Sequence, residues 1–372
     1  MNVALAVFGV VVLAGQGSLI ERIRSLAETE SNAQQNIGLQ VAVFRDGKPI
    51  VDFAIGKANL EHDLPMTTRS LAPIASVSKT FTGALLAQAI AKGELEASAN
   101  VQSLVPDFGK EGSQNITLAQ LAAHVSGIRG YLPNERRPEF FARHFATASE
   151  SLSIFAKDDL VAKPGEAFRY SSFNYNLLAA ALERKVGKPF AQLLSERLLE
   201  PLGLHRTRMD DITIPIKGRV ENYTVYDPVS GEEGKVWRRV VNQDYSYNQG
   251  GGNLLSCAYD LASFGDKLLR SDGFDPNARA LMTTPSLAPL SVWGMGLMVF
   301  ERPEVGRYYY VTGGFLAAQA SLYVYERSRC AVAIVSNSNG FGARGGNLIQ
   351  RLPHQINAAI ESGVVTNHFG RR

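Results

Sequence analysis

The chain opens on an apolar run, residues 3–14 (VALAVFGVVVLA), which is too short to cross a bilayer. Gly15-Gln16-Gly17 follow, which fits a secretory core segment cleaved near Ala14, although no basic residue precedes the run. An uncleaved anchor or a buried first helix gives the same pattern. A polar helical stretch then runs from Leu19 to about Ala33, and IGLQVAVFRDGKPIVDFAIGKAN alternates about Asp46-Gly47, as two strands across a tight turn do. Val77 to Ala91 is apolar on nearly every face and reads as a buried helix with its first turn at Ser76. Helical segments follow to about residue 210, the clearest from Asn174 to Val186 with Gly187 as its stop, and another from Phe190 to before Pro201. Residues 211–253 read as long loops with short strands, ending on Gly250-Gly251-Gly252. Four short strand-like runs come next (WGMGLMVF, RYYYVTGG, AQASLYVYE, CAVAIVSN), and a helix from about Gly346 to Glu361 closes the pattern.

Strands at both ends with helices between them predict an α+β fold, its antiparallel sheet assembled from the two termini and a mainly helical lobe inserted. The composition, 45% hydrophobic and 20% charged over 372 residues, is that of a globular chain. A formal charge of +3 with scattered basic residues argues against nucleic acid as a partner and leaves small molecules or peptides. The six histidines show no metal-binding spacing, and Cys257 and Cys330 read as packed free thiols, with one disulfide as the alternative, so no metal and no cofactor is expected. Gly340–Gly345 spells G-x-G-x-x-G, but too little chain follows for a dinucleotide fold.

Three short segments carry chemistry. Ser76 and Lys79 lie three residues apart, one helical turn, so a hydroxyl and an amine share a face. A serine needs a base to take its proton, a lysine in dry surroundings can serve, and the free N–H groups of a first helical turn, that of Ser76 among them, can bind an oxyanion. Tyr170-Ser171-Ser172 precedes the Asn174 helix; a tyrosine beside an ammonium can reach a lowered pKa and shuttle protons, and Ser172 can hydrogen-bond in the same cleft. Val311-Thr312-Gly313-Gly314 ends a strand, where the glycines let a substrate lie along the edge, Thr312 offers a hydroxyl and Gly314 a second oxyanion N–H. Tyr223, Tyr245, Tyr247 and Tyr308 to Tyr310 are candidates to line an acyl pocket.

SVSK, then YSS, then VTGG resembles the serine β-lactamase and penicillin-binding-protein superfamily, in particular its class C-like branch. AHVSGI, the helical segment from Phe173 to Thr207, and GGGNLLSCAYDLASFG resemble further stretches of that branch, from about residue 36 to 340. The resemblance implies a β-lactamase/transpeptidase-like fold as a single domain over residues 18–365, with a sheet lobe (18–75 plus 285–365), a helical lobe (76–284), a signal or anchor over 1–17 and a tail over 366–372. It implies Ser76 as the acylated nucleophile, Lys79 as its activating amine, Tyr170 as the catalytic tyrosine, the backbone N–H groups of Ser76 and Gly314 as the oxyanion hole, and Ser172, Thr312 and Gly313 at the substrate. One departure stands out: Val311 occupies the place where penicillin-recognising members usually hold lysine or histidine. It leans toward carboxylesterase-like action on a small ester or amide rather than on a β-lactam or a D-alanyl peptide. β-Lactamase or D-alanyl-D-alanine carboxypeptidase/D-aminopeptidase activity is one alternative, and a non-catalytic binding or assembly module on the same fold is another. A periplasmic or secreted location follows if the first residues are a signal, a membrane tether if they are retained, and the cytoplasm if they are neither; the oligomeric state stays open.

Overall fold

The computed structural model describes residues 7–109, 115–132, 135, 142–227, 232–240, 243–315, 317–340 and 348–369. The start of the apolar run, most of the Gly340–Gly345 motif and the residues beyond Phe369 lie outside that set. Helix α1 (Val7–Ala33) takes in the rest of the apolar run and the polar stretch as one element. No helix among the described residues is long and apolar enough to cross a membrane. Strands β1 (Gly38–Arg45) and β2 (Lys48–Asn59) form the expected hairpin, since Asp46 and Gly47 both adopt positive φ (51° and 80°), as a two-residue turn matching the strand twist demands. The short β3 (Leu64–Pro65) and β4 (Ala72–Pro73) lead into a 3-10 turn, Ala75–Val77, and then into α2 (Ser78–Ala91), whose side chains are nearly all buried.

Between the two halves of the sheet lie α3 (Leu118–Ala122), α4 (Ala148–Ser151), α5 (Phe173–Val186), α6 (Phe190–Leu194), β5 (Arg208–Met209), β6 (Tyr223–Tyr226), β7 (Glu233–Arg239), β8 (Leu254–Ser256), α7 (Ala258–Leu269) and α8 (Pro276–Thr283). Helix α5 stops where Gly187 takes the left-handed conformation, φ 72°. One buried carboxylate, Glu183, accepts from Ala148 N–H, Ser149 N–H and the Ser149 hydroxyl, and from Phe190 N–H, so it satisfies the free donors at the starts of both α4 and α6.

The C-terminal strands β9 (Met298–Arg302), β10 (Gly306–Gly314), β11 (Gln319–Tyr325) and β12 (Cys330–Ser336) and the helix α9 (Leu348–Phe369) complete the fold. The main sheet runs β3-β2-β1-β12-β11-β10-β9, antiparallel throughout, with β1 and β12 side by side at its centre, as predicted from strands at the two ends of the chain. Alternation along these strands makes two cores. Leu39, Val41, Val43, Val332 and Ile334 meet α1 and α9 on one face; Ala42, Phe44, Ala331, Ala333 and Val335 face α7 and the helical lobe on the other. The small residues of the second face let α7 rest on the sheet: a Cβ on Gly265 would stand 2.9 Å from those of Ala331 and the Leu322 side chain. Cys257 and Cys330 are buried free thiols.

Candidate active site

Ser76 sits in the 3-10 turn that feeds α2, one step before the α-helix proper. Ala75, just ahead of it, is forced to φ 46°, a conformation unfavourable for a residue with a Cβ. Strand β8 clamps both ends of the turn: Ile74 N–H donates to the Leu254 carbonyl (3.0 Å), and Leu254 N–H to Ser78 Oγ (3.2 Å). Ser76 is thereby half-exposed while its neighbours are buried. Lys79, one turn on, is 0% exposed and spends its donors on Ser76 Oγ (3.0 Å), Ser172 Oγ (3.0 Å) and the Gly251 carbonyl (2.6 Å). No carboxylate pairs with it among the described residues. Burial pushes its amine below its ordinary value, against the pull of Tyr170.

Tyr170 donates its hydroxyl to the same Ser76 Oγ at 2.8 Å. Burial of the hydroxyl would raise its pKa, but the Lys79 ammonium and the hydrogen bonds around it outweigh that and hold it below its ordinary value, although the residue as a whole is 44% exposed. Amine and phenol therefore titrate as a pair, burial lowering the amine and the ammonium lowering the phenol. Behind Tyr170 lies His124, its ring centroid 4.4 Å away. His124 Nδ1 accepts from Ser171 N–H (3.3 Å) and from the Asn174 amide (3.1 Å), so the ring proton sits on Nε2, and the ring meets Trp293 edge to face. Burial and the nearby ammonium of Lys79 keep this imidazole neutral.

Strand β10 outruns β9, whose pairing ends at Tyr310, so Val311–Gly314 have β11 on one side and no strand partner on the other among the described residues. Gly313 is pressed against the serine turn: a Cβ there would stand 2.2 Å from the Ile74 carbonyl and 2.9 Å from Ser76 N. Gly314 is exposed with open space around its Cα, and Thr312 is half-buried beside it. Ser76, Lys79, Tyr170, Ser172 and Gly313 are thus gathered at one point, with Gly314 and Thr312 next in the strand. Val311 is 1% exposed and packs into the apolar core.

The tyrosines need sorting. Tyr308 and Tyr310 point to the opposite face of the sheet, stacked with Tyr323 in the core beneath α9, because neighbours in a strand alternate faces. Tyr309 donates to Glu326, and Tyr223 accepts from Leu60 N–H, both away from Ser76. Of the candidates only Tyr245, stacked on Phe315 at 4.0 Å, and Tyr247, packed on Tyr131, stand beside the cleft. Sequence reasoning missed the Gly251 carbonyl as a lysine acceptor and His124 behind the tyrosine. The triple glycine was the signal for the first: a Cβ on Gly251 would fall 2.2 Å from Asn248 Oδ1 and 2.8 Å from the Ser172 carbonyl.

This arrangement, an amine and a phenol converging on a serine between a helix start and a sheet edge, is that of a β-lactamase-type serine hydrolase fold. The Beta-lactamase family model matches residues 23–353, and the chain belongs to that family. Over 318 residues it is 27% identical to the mitochondrial serine beta-lactamase-like protein LACTB of Homo sapiens, covering 67% of this chain and 56% of that one. The chain therefore spans a little over half the length of that relative. Among solved structures, the D-amino acid amidase of Ochrobactrum anthropi SV3 superposes with a TM-score of 0.78 at 20% identity, covering 93% of this chain and 99% of that one. EstCE1, described as a hydrolase with promiscuous acyltransferase activity, does so with a TM-score of 0.74 at 20% identity and the same two coverages, 93% and 99%. These likenesses establish the fold.

Proposed function

We propose that this chain is a serine hydrolase that forms an acyl-enzyme on a small ester or amide, closest in action to a carboxylesterase. The observation that carries this reading is Ser76 Oγ held at 3.0 Å from a buried lysine amine and 2.8 Å from a tyrosine hydroxyl. With one proton removed from the Lys79–Tyr170 pair, either group can accept the Ser76 proton as its oxygen attacks the carbonyl carbon. The pair is then fully protonated, and its one positive charge, on Lys79, offsets the negative charge of the tetrahedral oxyanion. The tetrahedral oxyanion lies against the backbone N–H groups of Ser76 and Gly314, and the proton returns through Tyr170 to the departing alcohol or amine. Water then repeats the sequence on the acyl-serine. Ser172, a Lys79 acceptor, keeps the amine aimed at Ser76, while Thr312 and Gly313 form the strand edge along which substrate lies.

Val311 favours esters and amides without a free carboxylate over β-lactams and C-terminal peptides, since a buried valine offers a substrate carboxylate no cation. Fluorophosphonate labelling with peptide mapping tests the proposal: the adduct is expected on Ser76 and lost in Ser76→Ala. Label elsewhere, or none, would favour a binding module on this scaffold. Side-by-side turnover of p-nitrophenyl butyrate, nitrocefin and a D-alanyl peptide tests the substrate class, with the butyrate expected to be cleaved fastest.

A further inference from the structure

A second polar centre stands next to this cleft, built from residues that the proposed mechanism does not use. Pro73, Asp210, Arg219, Asn222, Tyr245 and Phe315 are among the residues lining a cavity of about 20 Å³, room for one group the size of a water molecule. Its walls belong to the site by chain connection: Pro73 precedes Ser76 by three residues and Phe315 follows Gly314 directly. Asp210 is 4% exposed. One of its oxygens takes a hydrogen bond from Arg219 (3.1 Å), while its Oδ1, Asn222 Oδ1 and Arg219 Nε are buried without a partner among the described residues. Two unused acceptors outnumber the one unused donor.

Charged groups surround Asp210. The carboxylates of Asp210, Asp244 and Asp211 face the guanidiniums of Arg219 and Arg208, and Asp244 in turn holds His144 at 2.7 Å. Burial, with help from Asp244 and Asp211 and against Arg219 and Arg208, pushes the Asp210 carboxyl up to about 6. A small group that donates hydrogen bonds would answer the spare acceptors, and an ammonium suits the Asp210 carboxylate among them; a carboxylate or phosphate is too large for the space and brings acceptors where donors are wanted.

We infer that this cavity is a subsite for a primary ammonium group on the substrate, so that the preferred esters or amides carry a free amine. This rests on the acyl-enzyme reading above, and two readouts keep the ideas apart. The first is kcat/KM for methyl esters of D-alanine, L-alanine, β-alanine and 4-aminobutyrate against their N-acetyl forms. The unmodified protein is expected to favour at least one free amine about 10-fold or more, and Asp210→Asn to lower that ratio about 10- to 100-fold, the range for losing a buried charge-assisted hydrogen bond. Asn222→Leu, which leaves the Asp210–Arg219 pair in place, should lower it about 3- to 10-fold and guards against misfolding of the first variant. The second readout needs no turnover: n-butylammonium, and not butanol, should raise the melting temperature of the unmodified protein and fail to do so in Asp210→Asn. Stabilisation by the amine without turnover of any ester leaves the subsite standing and removes the acyl-enzyme reading. Ester turnover with equal rates for amines and N-acetyl forms, or ratios unchanged in both variants, overturns the subsite and leaves a structural water as the occupant.

Discussion

Replacing Lys79 with methionine separates what the amine does for catalysis from what it costs the fold. Lys79 is fully buried, and its three acceptors, Ser76 Oγ, Ser172 Oγ and the Gly251 carbonyl, are all uncharged. An ammonium held this way loses its hydration without gaining a counter-ion, a penalty of several kcal/mol in order of magnitude. Methionine keeps most of the packing volume but leaves the Gly251 carbonyl without its donor, at a cost of about 1–3 kcal/mol. The balance favours Lys79→Met by about 2 kcal/mol near neutral pH. With a urea m-value of roughly 3 kcal/mol per molar, the unfolding midpoint rises by about 0.7 M. The sign with pH follows from the lowered pKa. Between the folded value and the ordinary 10.5, the unfolded chain binds more protons than the native one, so the native protein gains stability as pH rises through that window. The variant has no such gain, and its advantage should shrink as pH approaches 10.5. Ester turnover should meanwhile fall about 10²- to 10⁴-fold, the usual contribution of a general base. Urea unfolding across that pH range, with p-nitrophenyl butyrate turnover on the same preparations, measures all three. A variant less stable than its parent near neutral pH, or an advantage that does not change with pH, refutes the account of a desolvated amine; undiminished turnover refutes its role as base.

Three further outcomes are expected. Tyr170→Phe keeps the ring on His124 but should cost about 10²- to 10⁴-fold in kcat/KM, and the rise in activity with pH, which in the parent lies below the tyrosine's ordinary 10.0, should move toward the value of Lys79 alone; an unchanged pH profile counts against a shared proton. Gly313→Ala should destabilise by roughly 1–3 kcal/mol in urea unfolding and lose most activity, since a Cβ 2.2 Å from the Ile74 carbonyl drives β10 off the serine turn. Glu183→Ala should cost about 3–5 kcal/mol, because four donors at the starts of α4 and α6 lose one acceptor, with Glu183→Gln intermediate; a loss under about 1 kcal/mol would mean that water caps both helices instead.

Local periodicity carried much of the architecture. The alternation around Asp46-Gly47, the apolar run after Ser76, the stop at Gly187 and the last three C-terminal strands are short-range patterns found where the pattern places them, because hydrogen bonds within a helix or across a tight turn depend on near neighbours; the strand read from WGMGLMVF begins only at Met298 and runs on to Arg302. The three-residue spacing of Ser76 and Lys79 likewise sets their approach, whatever the rest of the fold does. Other features belong to tertiary structure alone. That Lys79 ends on a carbonyl 172 residues away, that His124 stands behind Tyr170, and that β10 outruns β9 to leave Val311–Gly314 open all depend on how distant segments pack. The tyrosine run makes the same point in reverse: Tyr308, Tyr309 and Tyr310 look alike in sequence, and strand alternation sends the first and last into one core and the middle one against the other, so that none of the three reaches Ser76. Asp210, Arg219 and Asn222 carry no motif, and their unanswered polar atoms come into view only when Pro73 of β4, the segment between β5 and β6 and the residues that follow β10 enclose them in one small space. Burial and long-range contact determine a lysine's charge or a carboxylate's missing partner, and those are properties of the packed chain.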